Sequence, residues 1–321
     1  MADECTYTER AYTKLRHLCD TRIYNKYTNN CADAYKRMQK ELKYVKGNGS
    51  APLLVEVYEA LNCVEAGSGQ YCLCGVEGSS VISYILGFSE IDPINCSPRL
   101  YSEFCFGMDG NKNLAIELNV TKQLYEKLVR YFEHYVGEAE IKHRHFDDGK
   151  LFGIKIFDPV SWEKAKKDDE DGFSFVFKVV EADDMKNHVL SGEVFDAVKP
   201  VTYEERIHCL GLSRGLGLNG VWEENAEELF LSGKVKFENL IAHREDVYEF
   251  LLKYGVDKKN AYRIADDVKL GRVRAKGWTS DTMEVINNAN IPDWFIKSCE
   301  KIKYLFPRAH DMMVIHHYYR R

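Results

Sequence analysis

The chain has 321 residues, of which 45% are hydrophobic and 29% are charged, and its net charge at pH 7 is −6. This length can bury one large core or two modest ones, and the negative charge excludes a general polyanion binder. No apolar run approaches the roughly 20 residues of a membrane span, and residues 1–4 lack the basic and apolar parts of a signal peptide. Ten scattered cysteines without a C-x-x-C pair indicate free thiols, so we expect a cytoplasmic protein that contacts no membrane.

The first half of the chain mixes helical and strand patterns. Residues 31–45 carry an apolar stripe at helical spacing, and a second helix is predicted over 52–64. Residues 114–120 alternate as a strand does, and Thr121 is placed to cap a following helix that ends at Gly137.

The second half changes from strands to helices. Residues 140–145, 151–157 and 173–180 have strand patterns. Beyond Val194 every segment is typical of helices, with breaks near glycines and Pro292. The chain is therefore predicted to have an α+β fold, an α+β body followed by an all-helical domain.

The strand at 114–120 has a polar face that could carry chemistry. Ala115, Glu117 and Asn119 share that face, because side chains alternate along a strand. Carboxylates at positions i and i+2 could together bind two divalent ions roughly 3.5 to 4 Å apart, as nucleotidyl transfer requires. Here Glu117 stands alone, with Ala115 at the partner position.

A Gly/Ser loop precedes this strand and runs into an apolar segment at residues 81–88. Such loops let backbone N–H groups approach a phosphate closely. The candidate phosphate-binding residues of the loop are Gly75, Gly78, Ser79 and Ser80.

These segments together resemble one known family. The loop, followed by residues 89–94 and by Tyr-Ser-Glu-Phe at 101–104, is similar to the palm of the PolC-type DNA polymerase III of bacteria. Residues 199–203 and 211–215 are similar to later motifs of that family, and residues 291–310 resemble its fingers almost word for word. The resemblance extends over about 61–135 and 194–310.

The resemblance implies both an architecture and a loss of chemistry. It implies a palm-like α+β domain with a helical N-terminal segment over residues 1–190, and a helical fingers-like domain over 191–321. The family's catalytic strand carries Pro-Asp-x-Asp, so Ala115 replaces the first aspartate and Glu117 is a degenerate remnant of the second. An ungapped alignment places Phe152 at the third carboxylate position. The arginine of the family's loop falls at Cys74.

The family's four-cysteine zinc insert is also incomplete in this chain. Cys96 is retained, Arg99 occupies the next ligand position, and Cys105 lies outside the pattern. A structural zinc site normally needs four ligands, so we expect no zinc and no other metal cofactor.

A basic segment is the candidate nucleic-acid interface. Residues 251–276 contain eight basic and three acidic side chains, and the end of the chain interleaves basic and aromatic residues. A solvated helix face is the equally open alternative. The candidate contacts are Lys253, Lys258, Lys259, Arg263, Lys269, Arg272, Lys301, Lys303, Arg308 and His310.

Two functional hypotheses follow. The favoured one is a catalytically degenerate PolC-like fragment that binds DNA or a replication protein. The alternative is a minimal metal-dependent polymerase or nucleotidyltransferase, in which Mg²⁺ is bound by Glu117 and by a second carboxylate from Glu90, Asp92 or Asp109.

Overall fold

The computed structural model describes residues 6–28, 31–134, 140–145, 151–157, 174–180, 192–214 and 220–319. The chain forms two units, the first comprising residues 1–184 with 316–321 and the second residues 185–315. The assignment of palm-like and fingers-like roles to residues 1–190 and 191–321 stays a prediction.

Six helices are described in the first unit. They are α1 (Tyr7–Lys26), α2 (Cys31–Asn48), α3 (Ala51–Cys63), α4 (Val81–Leu86), α5 (Ser102–Phe106) and α6 (Lys122–His134), with a 3₁₀ turn at Val76–Ser79. The helix α1 begins at a capping box in which the side chains of Thr6 and Glu9 each accept a hydrogen bond from the other's backbone N–H. It packs against α2, α3 and α4 through apolar residues at helical spacing, among them Leu15, Cys19 and Ile23.

Five strands form one sheet in the same unit. They are β1 (Tyr71–Cys74), β2 (Ile116–Val120), β3 (Glu140–His145), β4 (Leu151–Phe157) and β5 (Phe175–Val179). Their order is β1-β2-β5-β4-β3, with β2 and β5 parallel and the other neighbours antiparallel. A parallel pair needs a crossover connection, and α6 lies within the one between β2 and β5.

One face of the sheet forms the core of the first unit. Ile116, Leu118 and Val120 of β2 point to this face and are at most 1% exposed. Phe175 and Phe177 of β5 and Phe152 of β4 are fully buried beside them. The helix α6 covers this aromatic layer with Phe132 and Tyr125, whose rings lie 5.4 to 6.2 Å from those of β5. Burial of so many aromatic rings is the main stabilising contribution of this layer.

The second unit is helical in its described part. Its helices are α7 (Glu193–Val198), α8 (Tyr203–Ser213), a π-helical turn (Trp222–Ala226), α9 (Glu227–Leu231), a 3₁₀ turn (Phe237–Asn239), α10 (Arg244–Lys253), α11 (Lys258–Lys269), α12 (Arg272–Lys276), α13 (Ser280–Asn288), α14 (Asp293–Lys301) and α15 (Arg308–Tyr319). The end of α15, from His316, groups with the first unit. Gly255 and Gly271 have positive φ angles and form the turns that follow α10 and α11.

The α+β fold class is confirmed, and so are most of the predicted elements. The helices expected at 31–45 and 52–64 and the strands expected at 140–145 and 151–157 are present within a few residues. The predicted helix end at Gly137 lies outside the described residues. No described helix combines the length and the apolar character that crossing a bilayer requires.

Candidate functional site

The strand β2 holds Glu117 on the face of the sheet opposite the aromatic core. Its Oε1 lies 2.6 Å from Nζ of Lys178 on the neighbouring strand β5, and both side chains are part-exposed. Strand register explains this pair, because Lys178 aligns with Asn119, two residues beyond Glu117 on the same face. The carboxylate that the sequence singled out is therefore already neutralised by an ammonium group.

The described side chains of β1, β2 and β5 supply no second carboxylate on the face of Glu117. Its aligned neighbours are Cys74 on β1 and Val176 on β5, and Asn119 aligns with Cys72. Among the described side chains of β1, β2 and β5, Glu117 is the only acidic group on this face. Phe152 aligns with Phe177 and lies on the opposite, buried face.

Two of the three carboxylates considered as partners, Asp92 and Glu90, have structural contacts of their own. Asp92 Oδ1 accepts hydrogen bonds from the Tyr27 hydroxyl at 2.6 Å and from the Ile94 N–H at 2.9 Å. Glu90 Oε1 accepts one from the Ser68 hydroxyl at 2.6 Å. Asp109 is exposed in the turn after α5.

Asn119 is covered by the end of the chain. Its side chain hydrogen-bonds the hydroxyl of Tyr318, which is 5% exposed and lies next to the thiols of Cys72 and Cys74. Burial, together with these thiols, raises the pKa of Tyr318 above its ordinary value. A substrate could reach this part of the strand only if Tyr318 moved away.

The Gly/Ser loop is buried, and several of its donors are already bonded. Gly75 has a φ of 87°, and Ser80 caps α4 by accepting a hydrogen bond from the Ser83 N–H at 3.3 Å. The Ser79 hydroxyl donates to the Val76 carbonyl at 2.6 Å. Ser79 and Ser80 are each 2% exposed and Gly78 is buried.

A carboxylate from α2 reaches the start of α4. Glu41 Oε2 accepts hydrogen bonds from the Ser80 hydroxyl at 2.7 Å and from the Ile82 N–H at 3.1 Å. Glu41 Oε1 pairs with Arg37 Nε at 3.1 Å, and the same guanidinium donates to the Ser79 carbonyl. The anionic group at this helix start is thus a side chain of the protein itself. The role of the loop in binding phosphate stays a prediction.

The two cysteines around the incomplete zinc pattern differ in burial. Cys105 is fully buried, and burial raises the pKa of its thiol well above the ordinary value. Burial also raises the pKa of Cys96, which is half-buried. The Arg99 guanidinium lies 5.0 Å from the centre of the Tyr101 ring.

Some basic candidates of the second unit are exposed to solvent, and others form hydrogen bonds or ion pairs with neighbouring side chains. Lys253, Lys258 and Lys259 are exposed around the turn between α10 and α11. Arg308 is buried, with hydrogen bonds of 2.7 Å to both Asp246 and Glu249. The sequence assigned one role to these four basic residues, but of the four only the lysines present their charge to solvent.

The remaining basic candidates are held by neighbouring side chains. Arg263 donates to Thr282, Lys269 lies over the Tyr304 ring, Arg272 pairs with Asp266 and Asp267, Lys301 with Glu228 and Lys303 with Glu224, and His310 contacts Arg214.

One polar cluster of the second unit was not foreseen from the sequence. His208, His243 and Asp246 bring ring nitrogens and a carboxylate oxygen within 4.8 Å of one another. Burial lowers the pKa of His208 to about 4. Burial would also lower the pKa of His243, but the neighbouring carboxylates of Asp246 and Asp311 raise it to about 9. The sequence signal was limited to the i,i+3 spacing of His243 and Asp246, since the other members come from distant segments.

Comparison with known proteins shows which proteins part of the chain is similar to. Residues 13–144 match the family model of the bacterial DNA polymerase III alpha NTPase domain. A DNA polymerase III PolC-type from Caldanaerobacter subterraneus subsp. tengcongensis is 37% identical over 117 residues. Those from Pediococcus pentosaceus and Bacillus subtilis are 38% identical over 117 residues and 36% identical over 118 residues.

The chain is a relative of the PolC-type polymerases. The resemblance seen in the sequence is thereby confirmed, and the family match begins upstream of residue 61, within α1. The matched segments make up 36 to 37% of the chain but only 8% of each polymerase. The catalytic and phosphate-binding roles of Glu117 and of the Gly/Ser loop stay predictions for this relative.

Proposed function

We propose that this PolC relative is a catalytically inactive, palm- and fingers-like fragment that binds DNA in the cytoplasm. The observation that carries the first half of this proposal is the ion pair of 2.6 Å between Glu117 and Lys178. Two-ion nucleotidyl transfer needs carboxylates that share divalent cations, and an ammonium group at this distance competes with any cation for Glu117.

The surroundings of Glu117 also oppose catalysis. Its aligned neighbours are a thiol and a valine, and the adjacent Asn119 is bonded to the buried Tyr318. A site of this composition lacks the carboxylates to hold the pair of divalent ions that would neutralise the charge developing on a transferring phosphate. Tyr318 also excludes a nucleotide from the same stretch of the strand.

The exposed lysines of the second unit support the DNA-binding half of the proposal. Lys253 ends α10, Lys258 and Lys259 begin α11, and the short α12 that follows adds exposed Arg274 and Lys276. Lysines and arginines that project from adjoining helix ends can neutralise phosphates of a nucleic-acid backbone without reading its sequence.

Primer extension tests the loss of catalysis. We expect the purified chain to add no deoxynucleotide to a primer-template with Mg²⁺ or Mn²⁺, and Glu117→Ala to bind the same DNA as tightly as the wild type does. Metal-dependent extension that Glu117→Ala abolishes would instead establish the nucleotidyltransferase alternative.

Fluorescence anisotropy with labelled primer-template and single-stranded DNA tests the binding surface. We expect Lys258→Glu with Lys259→Glu to weaken binding. The slope of log K against log salt should also fall by about 0.9 for each phosphate of duplex DNA that the variant no longer neutralises. Lys234→Glu with Lys236→Glu makes the same charge change on exposed lysines of the same unit and is the matched control.

Either of two results would end the DNA proposal. Equal weakening by both double variants would show that binding depends on the net charge and not on the position of Lys258 and Lys259. Absence of binding to every DNA at low salt would leave a replication protein as the partner to search for.

A further inference from the structure

The cluster in the second unit has the geometry of a metal site rather than of a closed ion pair. His208 lies on α8, and His243 and Asp246 lie at the start of α10. Oδ2 of Asp246 is 3.6 Å from Nδ1 of His243 and 3.9 Å from Nδ1 of His208. These gaps are too long for hydrogen bonds but close to the spacing of ligand atoms around a tetrahedral ion whose bonds are about 2.0 to 2.2 Å long.

The ring of His243 is oriented by a second carboxylate. Its Nε2 lies 3.0 Å from Oδ2 of Asp311, which is fully buried and paired with Arg214 at 2.9 Å. Nδ1 of His243 is buried without a hydrogen-bond partner and faces Asp246. A histidine that donates one ring N–H to a carboxylate and points the other nitrogen at a ligand set is the usual arrangement around protein-bound metals.

The charges around the cluster also leave room for a cation. Four carboxylates, from Glu245, Asp246, Glu249 and Asp311, stand against the two guanidinium groups of Arg214 and Arg308. In the form that would bind a metal, with both imidazoles neutral, this group carries two negative charges in excess. A divalent ion would cancel them in a region where uncompensated charge is costly. A metal would have to displace the proton that His243 holds at neutral pH, because the pKa of that ring is about 9.

We propose that His208, His243 and Asp246 form a binding site for a divalent transition-metal ion of the zinc class, with Asp311 as the outer carboxylate. Two imidazoles and one carboxylate suit Zn²⁺ and Co²⁺ and leave a fourth position for water. The ion would join α8 to the start of α10. This site is separate from the zinc pattern around Cys96 and does not depend on the proposed function.

Asp246 limits the affinity of this site. Its Oδ2 already accepts hydrogen bonds from the Ala242 and His243 N–H groups, and its Oδ1 accepts one from Arg308. The metal must share an oxygen that is already occupied. We therefore expect weaker binding than at four-ligand structural zinc sites.

Titration of the chelator-treated, full-length chain with Co²⁺ and Zn²⁺ tests the proposal. We expect one equivalent to bind, with visible Co²⁺ bands of tetrahedral nitrogen and oxygen coordination and without the strong near-ultraviolet band of thiolate ligation. His208→Gln should abolish this binding, and Asp311→Asn should weaken it about 10- to 100-fold. His17→Gln changes an exposed histidine of α1 and should leave it intact.

His208→Gln is the decisive variant because His243 and Asp246 also hold the start of α10 together. Circular dichroism and the melting temperature without metal establish that each variant is folded, and a rise in melting temperature on adding Zn²⁺ should occur in the wild type and not in His208→Gln. Absence of saturable binding, unchanged binding by His208→Gln, or a thiolate spectrum would each overturn the proposal.

Discussion

Exposure decides what a single charged side chain can do. Arg308 belongs to a basic and aromatic stretch that the sequence assigned to nucleic-acid contact, yet it is buried against acidic side chains of α10. Sequence patterns showed its charge but not its partners, because Asp246 and Glu249 lie on another helix. Glu41 is a similar case, since nothing in its local sequence shows that it reaches the start of α4.

Removal of the Arg308 guanidinium should be strongly destabilising. Arg308→Ala leaves Asp246 and Glu249 without their cation, and such a loss typically costs about 3 to 5 kcal/mol. Urea unfolding followed by circular dichroism measures the change in the free energy of unfolding. Arg272→Ala, which removes an exposed guanidinium paired with Asp266 and Asp267, is the control and should cost within about 1 kcal/mol. Similar costs for the two variants would contradict the structural role of Arg308.

At the element scale, the sequence predicted where helices and strands lie better than how they end. The alternation at 151–157 and the apolar stripe at 31–45 sufficed to place β4 and α2, because periodicity reports the buried face directly. The glycines at 271 and 277 predict a break, but the stretch between them holds the short α12. Neither the helix α1 nor the contacts that it makes could be interpreted from the sequence.

The turn at Gly271 should tolerate no side chain. A Cβ there would lie 2.4 Å from the Lys303 carbonyl oxygen, and the φ of 63° adds strain for any L-residue. Gly271→Ala should therefore lower the melting temperature well beyond the effect of Gly233→Ala. Gly233 has a similar φ of 67°, but a Cβ at this position would meet no atom within 4 Å, so its variant measures the backbone strain alone. Equal shifts in differential scanning calorimetry would show that Lys303 moves aside freely.

The cap of α11 should make stability depend on pH in acid. Hydrogen bonds from the backbone and side chain of Asn260 hold the pKa of Asp257 below its ordinary value. This stabilisation is present above the ordinary pKa of about 3.9 and is lost as the pH falls through the lowered value. Asp257→Asn keeps a good cap without the charge. The urea midpoint of this variant should be lower than that of the wild type at about pH 7. The difference should shrink towards about pH 3, because protonation of Asp257 removes the charge that distinguishes the two proteins. A constant difference would mean that the charge contributes nothing.

At the scale of the whole molecule, the sheet order is the part that sequence reasoning could not supply. The strand patterns were visible, but nothing local shows that β5 lies between β2 and β4. The Glu117–Lys178 pair depends on that order, and so does the absence of a second acid beside Glu117 on the described strands. The sequence thus identified candidate residues for the site but not the side chains that surround them. The sequence did not predict the His208–His243–Asp246 cluster for the same reason, since its members come from segments that only the fold brings together.

Thiol labelling should report in one experiment whether the buried cysteines of both units are protected from solvent. The buried thiols outside any disulfide are Cys19, Cys72, Cys74 and Cys105 of the first unit and Cys209 and Cys299 of the second. Burial raises the pKa of Cys209 to about 12, so little reactive thiolate is present at neutral pH. Iodoacetamide followed by peptide mass spectrometry should modify the exposed Cys63 first and these six only after unfolding. Early labelling of any of the six would contradict its placement in the core.

The parallel pairing of β2 with β5 also sets an order of events during synthesis. Ile116 aligns with Phe175, so the centre of the sheet cannot close until the crossover and β5 have left the ribosome. The β1–β2 pair can form earlier, with its apolar face exposed until Phe175 and Phe177 arrive. The ion pair of Glu117 with Lys178 is consequently a late contact, and a nascent chain that stalls before β5 would present an unpaired strand edge to its neighbours.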